Sequence, residues 1–505
     1  MAHNLWWSWH PEARRLFKVL DRPLWKATCH NPIRLLQQIA PYRLVAAAED
    51  PAFLQQYDSV VNGFYTDMSA SQSWFQEKYP DLKRHTLAYF SMEFAIHSSL
   101  PLYAGGLGVL AGDYCKEASD LGLPMVGVGF MYPQGYFHQR ISADGWQEEV
   151  YRQLNFGEAP VTPVLTAQKQ PMRAEIQLDS RSVCAAVWQA SVGRVKLYLL
   201  DTDLEENSPA DRQLSARLYG GDSEMRLQQE IVLGIGGVRI LRALDIEPSI
   251  WHANEGHAAF MMLERCREQV ENGLDFAEAL TRVQANTVFT THTPVPAGND
   301  TFPSSLIEKY FYRYWDSLGL GRNAFLRLGA QSSDDSAFNM TVLGLRMAGQ
   351  CNGVSRLHGG VCRRMWQCLW PGAEEEDVPI GSVTNGVHVT TWVAPQMAGL
   401  YEKYLGHDWL TRHDDPALWE RIDNIPDGEV WAAHRWLKHK LISLVQDRAR
   451  KRWAENSHPA AHIVALGGLL DTEALTVGFS RRFTDYKRAA LILYEVDRLK
   501  RIVQN

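Results

Sequence analysis

Residues 86–131 read TLAYFSMEFAIHSSLPLYAGGLGVLAGDYCKEASDLGLPMVGVGFM. The stretch opens on an apolar run, Thr86 to Ser91, whose length and composition predict a strand. Glycines at 105, 106 and 108 then predict a turn, and a helical pattern runs from them to Leu121. Pro124 to Met131 is a second apolar run, apolar on both faces as in a strand covered from both sides. Strand, Gly-rich turn, helix and strand form a βαβ unit, which makes the two strands parallel.

Working downstream, residues 132 to 202 change to period-two alternation. Arg-Ala-Glu-Ile-Gln-Leu (173–178) and Val-Lys-Leu-Tyr-Leu-Leu (195–200) predict an antiparallel insertion. From 208 onward helix and strand alternate again, with short strands expected at Ser249 to His252, Thr287 to Thr291 and Ile380 to Thr384. The fold class is therefore α/β with a mostly parallel, doubly wound sheet. Upstream, the first 85 residues read as helices punctuated by Pro11, Pro23, Pro32, Pro41 and Pro51. The cluster Trp6, Trp7, Trp9 and Trp25 is expected to pack, not to stack on sugar.

After Asn385 the pattern is helical from Trp392 to Trp453. A strand at Leu475 to Phe479 and a final helix from Lys487 are expected next. One or two strands cannot make a buried parallel sheet, so 385–505 reads as the start of a second domain cut short, after a helical segment at 1–85 and a first domain at 86–384. The acidic run Glu374 to Asp377 reads as a solvated loop.

The chain has 505 residues, and 51 Lys plus Arg against 58 Asp plus Glu leave a net charge of −7, which excludes a nucleic-acid binder held by bulk charge. At roughly 150 residues per domain the length suggests several domains. No apolar run reaches the ~18 residues of a membrane span, and no basic-then-apolar leader opens the sequence, so neither a membrane nor export is expected and the reading is cytoplasmic. The seven cysteines are scattered without a Cys-x-x-Cys pair, which predicts reduced thiols and no metal.

Ligands of open α/β sheets bind beyond the carboxyl ends of strands, so the polar residues there are the candidates. The loop Tyr-Ala-Gly-Gly-Leu-Gly (103–108) would let amides and a helix N-terminus approach an anion; a glycine turn that only packs helix on strand is the alternative. Trp-His-Ala-Asn-Glu-Gly-His (251–257) and Thr-His-Thr-Pro-Val-Pro-Ala-Gly-Asn-Asp (291–300) supply histidines and a carboxylate. His252 and His257 lack metal-ligand spacing, which favours hydrogen bonds to sugar hydroxyls, or capping by Asn254 of a helix starting near Gly256. Ser-Arg-Arg-Phe-Thr-Asp-Tyr-Lys-Arg (480–488) places cations at the start of a helix, which the helix dipole disfavours unless an anion binds there. Arg482 and Lys487 would be its phosphate donors, and a basic turn partly neutralised by Asp485 is the alternative.

These ordered motifs, with Asn-Leu-Trp-Trp-Ser-Trp (4–9), Ser-Met-Glu-Phe (91–94), Asn-Gly-Val-Ser-Arg-Leu-His (352–358) and Thr-Asn-Gly-Val (384–387), resemble the α-glucan phosphorylases over essentially the whole chain. The likeness is to their bacterial and archaeal branch. It implies two Rossmann-like domains facing a cleft (GT-B type), and phosphorolysis of α-1,4-glucans to α-glucose 1-phosphate with retention. It also implies pyridoxal 5′-phosphate as cofactor, orthophosphate and glucan as partners, and a homodimer. Carried over by motif, His292, Arg482 and Lys487 are the catalytic residues. The two cations would hold substrate phosphate with the help of Gly106 and Leu107, and the His292 carbonyl would face the anomeric centre. Tyr486 and Asn385 would touch the terminal glucose, with Arg226, Glu255 and His257 behind them.

The sequence departs from the family in three places. The loop Tyr-Gly-Gly-Asp-Ser (219–223) is short, so a sugar-contacting asparagine lacks a counterpart. Arg481 stands where many members have lysine. No lysine lies in the Gly-Asn-Met-Lys-like motif that anchors the cofactor, so the 505 residues alone are expected to be inactive. A nucleotide-sugar glucosyltransferase of the same architecture is the alternative enzyme, and a non-catalytic glucan-binding protein the alternative of another class.

Overall fold

The computed structural model describes residues 1–70, 73–142, 144–332, 336–455, 470–481 and 487–504. The chain divides into two units, Met1–Trp392 and Val393–Asn505.

A ten-stranded sheet organises the first unit. From one edge its strands run Gly381–Ser382, Gln350–Gly353, Thr287–Thr291, Ile250–Asn254, Leu87–Phe90, Met125–Phe130, Val195–Asp201, Arg181–Val192 and Val161–Pro163, with Arg173–Leu178 also on Arg181–Val192. Pairs from Gly381–Ser382 through to Val195–Asp201 are parallel, and those beyond are antiparallel. Leu87 to Phe90 lies opposite Met125 to Val128 on one side and Ile250 to Ala253 on the other. The connections thus leave the Leu87–Phe90 strand in opposite directions, and a crevice opens at its carboxyl end.

The expected crossover helix spans Gly106–Leu121 and stops on Gly122, whose left-handed φ of 69° favours glycine. A hairpin, Phe94–His97 with Leu100–Leu102, intervenes before it. At Gly112 the helix presses on this hairpin so closely that a Cβ would lie 2.1 Å from the Ala95 carbonyl oxygen. The N-terminal helices follow their prolines: Pro11, Pro32, Pro41 and Pro51 each open a helix, and Asp21, Asn31 and Asp50 cap first turns. Trp6, Trp7, Trp9 and Trp25 are buried, with Trp7 edge-on to Phe17 and Trp25.

Several expectations need correction. The 132–202 segment supplies the expected antiparallel strands, but it also joins the main sheet, because its last strand, Val195–Asp201, pairs parallel with Met125–Phe130. Gln350–Gly353 is a strand that its polar residues conceal, and Ile380 to Thr384 shrinks to Gly381–Ser382 on the sheet edge, where one side has no strand partner among the described residues. Glu375–Asp377 forms a short 3-10 turn.

The second unit contains the helices Pro395–Leu405, Pro416–Trp419 and Asp427–Glu455. Glu429 accepts from Lys403 Nζ at 2.8 Å and Tyr404 Oη at 2.6 Å, tying two of them together. Leu475 to Phe479 does not form the expected strand: it has no ladder partner among the described residues, and Leu475 is 84% exposed. The expected final helix is a 3-10 turn, Ala489–Leu493, followed by Val496–Val503, interrupted at Glu495 where ψ is 76°. No helix among the described residues is long and apolar enough to cross a membrane.

Candidate functional site

Beyond the carboxyl end of Leu87–Phe90 the chain continues Ser91, Met92, Glu93, and Glu93 turns back into the glycine loop. Its carboxylate accepts Ala104 N–H at 2.8 Å and Gly105 N–H at 3.1 Å, and the Tyr219 hydroxyl donates to its other oxygen. Gly108 makes this fit possible, since a Cβ there would lie 2.8 Å from Glu93 Oε2. Gly105 caps the following helix without a side-chain bond, and a Cβ at Gly105 or Gly106 would meet open space. Among the described residues, the amides of Gly106, Leu107 and Gly108 have no acceptor, as the first turn of an uncapped helix dictates. Free amides on a helix axis with room before them suit an anion.

A second wall comes from the neighbouring strands. Glu255 follows Ile250–Asn254 with a left-handed φ of 83°. Its buried carboxylate accepts His292 N–H at 2.7 Å, Thr293 Oγ1 at 3.1 Å and Gly256 N–H at 3.1 Å. Burial pushes the Glu255 carboxyl above its ordinary range while these donors act in the opposite direction. The His292 ring donates from Nε2 to Asn254 Oδ1 at 2.6 Å, and Asn254 in turn donates to Ser91 Oγ at 3.2 Å. Burial, then His252 and His358, push His292 down to about 3, so it is a neutral donor. Asn254 therefore spans two strand ends and does not cap the next helix; Glu255 takes the Gly256 amide instead.

Below these walls Arg226 gathers the acidic groups. It donates to Asp300 at 2.9 Å and to Met92 Sδ at 2.9 Å, approaches Glu230 at 3.0 Å, and covers the Tyr219 ring at 4.6 Å. Burial opposes its charge, but Asp300 and Glu230 outweigh burial and hold its pKa above the ordinary value. Burial, followed by Asp300, pushes the Glu230 carboxyl well up, while Arg226 holds the Asp300 carboxyl below its ordinary value against burial. His257 accepts Met92 N–H on Nε2 at 3.0 Å and is pushed down to about 3 by burial and then by Arg226.

Gly106, Leu107, Arg226, Glu255, His257 and His292 thus meet at the carboxyl edge of the sheet. Asn385 reaches the same edge through its amide, which donates to the Val354 carbonyl at 3.0 Å. His252 is bonded to Thr290 Oγ1 at 2.8 Å and lies edge-on to Tyr89. Arg482 and Tyr486 lie outside the described residues, and Lys487 belongs to the second unit, ahead of Ala489–Leu493. Glu93, Tyr219, Glu230 and Asp300 were not among the expected site residues. Glu93 lies in the Ser-Met-Glu-Phe motif, an acid directly after a strand and before a glycine loop, but had no role assigned to it.

A family model described as a protein of unknown function (DUF3417) matches residues 1–100. The chain is 41% identical to a glycogen phosphorylase of Aquifex aeolicus, across 100% of this chain and 72% of that protein. It is 41% identical to a maltodextrin phosphorylase of Thermococcus litoralis and 42% identical to a glycogen phosphorylase of Mycobacterium tuberculosis, in each case across 100% of this chain. The chain spans 59% and 60% of the length of those two relatives.

Proposed function

The chain belongs to the glycogen and maltodextrin phosphorylase family, and from that premise we propose that it serves phosphorolysis of α-1,4-glucans to α-glucose 1-phosphate with retention. The observation that carries this reading is the set of open amides at Gly106, Leu107 and Gly108, lying at the switch point of the sheet beside the Glu255 and His292 wall. Orthophosphate bound there gives its proton to O4 as the C1–O4 bond breaks, and then bonds to C1 on the face that O4 leaves, which keeps the α configuration; the family resemblance assigns Arg482 and Lys487 as further phosphate donors. As positive charge develops at C1, the His292 carbonyl stabilises it. Glu255 fixes that backbone through the His292 amide, while Asn385 and Tyr486 orient the sugar.

Pyridoxal 5′-phosphate would supply a phosphate that hands a proton to and from orthophosphate. The amides at Gly106 to Gly108 fit a phosphate group, whereas no lysine of these residues lies in the motif that would hold the aldehyde. A homodimer is the proposed assembly. The 41% identity to phosphorylases is what weighs against a nucleotide-sugar transferase.

The test is conducted on this chain continued through the length its relatives have. Orthophosphate-dependent glucose 1-phosphate release from a maltodextrin supports the reading. Sugar transfer only from a nucleotide sugar, or glucan binding without turnover, contradicts it.

A further inference from the structure

Glu93 is 3% exposed, and no cation lies within ion-pair distance of it among the described residues. A buried carboxylate in that position is tolerated only while donors surround it. Those donors are Ala104 N–H, Gly105 N–H and the Tyr219 hydroxyl, and Gly108 supplies the missing side chain that lets the carboxylate enter the loop.

The choice of amides matters. A serine or aspartate at the N-cap would take the amides of the second or third helical residue and fill the anion site itself. Here the N-cap is Gly105, and Glu93 takes the two amides immediately ahead of the helix. The loop is held from behind and the amides within the helix stay open. Tyr219 links this pin to the opposite wall: its backbone has a left-handed φ of 56°, and its ring lies under the Arg226 guanidinium. Burial, with Glu93 second, raises the phenol well above its ordinary value, so it remains a donor.

We propose that Glu93 is a positioning residue for phosphate, a displaced cap that holds the glycine loop by Ala104 and Gly105 so that the amides of Gly106, Leu107 and Gly108 face the anion, with Tyr219 coupling the 219–223 loop to it. The proposal rests on the reading that those amides receive phosphate.

Two arms test it separately from that reading. The first is amide exchange on the 505-residue chain carrying Glu93→Gln or Tyr219→Phe. The expected result is at least tenfold faster exchange at Ala104 and Gly105 in Glu93→Gln, a smaller change at the same amides in Tyr219→Phe, and no change from Cys115 to Leu121. Unchanged exchange at Ala104 and Gly105, or acceleration spread evenly along the helix with a matching fall in melting temperature, overturns the proposal. The second arm is phosphorolysis by the chain continued through its relatives' length. Glu93→Gln should raise the KM for orthophosphate tenfold or more and leave the KM for maltodextrin within twofold; equal changes in both overturn the proposal. Should the parent enzyme lack phosphorolysis, the functional reading fails while the exchange arm still decides whether Glu93 holds the loop.

Discussion

Glu255 and His292 end neighbouring parallel strands, and the Glu255 carboxylate accepts the His292 amide at 2.7 Å. The same carboxylate accepts Gly256 N–H and Thr293 Oγ1, so one side chain sets the backbone of both strand ends. Glu255→Ala strands these buried donors and should cost on the order of 3 kcal/mol. Urea unfolding measures the loss, and a change below about 0.5 kcal/mol, the size expected of an ordinary surface site, would show that the carboxylate does not organise the wall.

Buried histidines make stability depend on pH. His257 is pushed down to about 3, below its ordinary value of 6.5, by burial and then by Arg226, with Asp300 opposing and His292 assisting. Between those values the unfolded chain binds a proton that the folded chain refuses, so the stabilisation is complete above 6.5 and is lost as pH falls toward 3. The slope should be about 1.4 kcal/mol per pH unit for each such histidine. His97 and His252, both pushed to about 4 chiefly by burial, titrate in the same window. Urea unfolding at pH 7, 6 and 5 should therefore show falling stability, with a shallower fall in His257→Asn. Identical slopes in parent and variant would contradict the assignment.

The glycines of the loop should divide by position. A Cβ at Gly108 would lie 2.6 Å from Tyr103 Cβ, so Gly108→Ala should destabilise the fold by about 1–3 kcal/mol. Gly106 faces open space and has room for a methyl group, so Gly106→Ala should leave the melting temperature unchanged or slightly raised while weakening orthophosphate binding. Thermal unfolding and phosphate titration of both variants check this; equal effects of the two would mean that the loop is only a packing turn.

The parallel centre of the sheet was legible because Leu87–Phe90 and Met125–Phe130 are unbroken apolar runs. Gln350–Gly353 was not, since it contributes backbone pairing through residues whose side chains carry no apolar signal. Alternation at 195–200 revealed burial but could not reveal that this strand pairs parallel with Met125–Phe130. At the site, residues directly following strands were legible by position. The function of Glu93 was hidden because Tyr219, which donates to it, is distant in the chain and becomes a neighbour only on folding.

Removing a phosphate donor should appear in turnover. In the chain continued through its relatives' length, Arg482→Ala is expected to lower phosphorolysis on the order of 100-fold or more, as loss of one preorganised donor does at an oxyanion site. Arg482→Lys should restore part of the rate with a raised KM for orthophosphate, because a point charge replaces a planar fork. Arg488→Ala is the control, and a loss equal to that of Arg482→Ala would mark the cluster as a basic surface turn.

The most direct measurement follows oxygen-18-labelled orthophosphate by phosphorus NMR during reaction of a maltodextrin with the chain continued through its relatives' length. Bonding of phosphate to the anomeric carbon with retention predicts α-glucose 1-phosphate that keeps every label, including the oxygen bridging phosphorus and C1. Formation of the β anomer would contradict retention, and loss of the bridging label, or release of free glucose with the labelled phosphate unconsumed, would contradict phosphorolysis at this site.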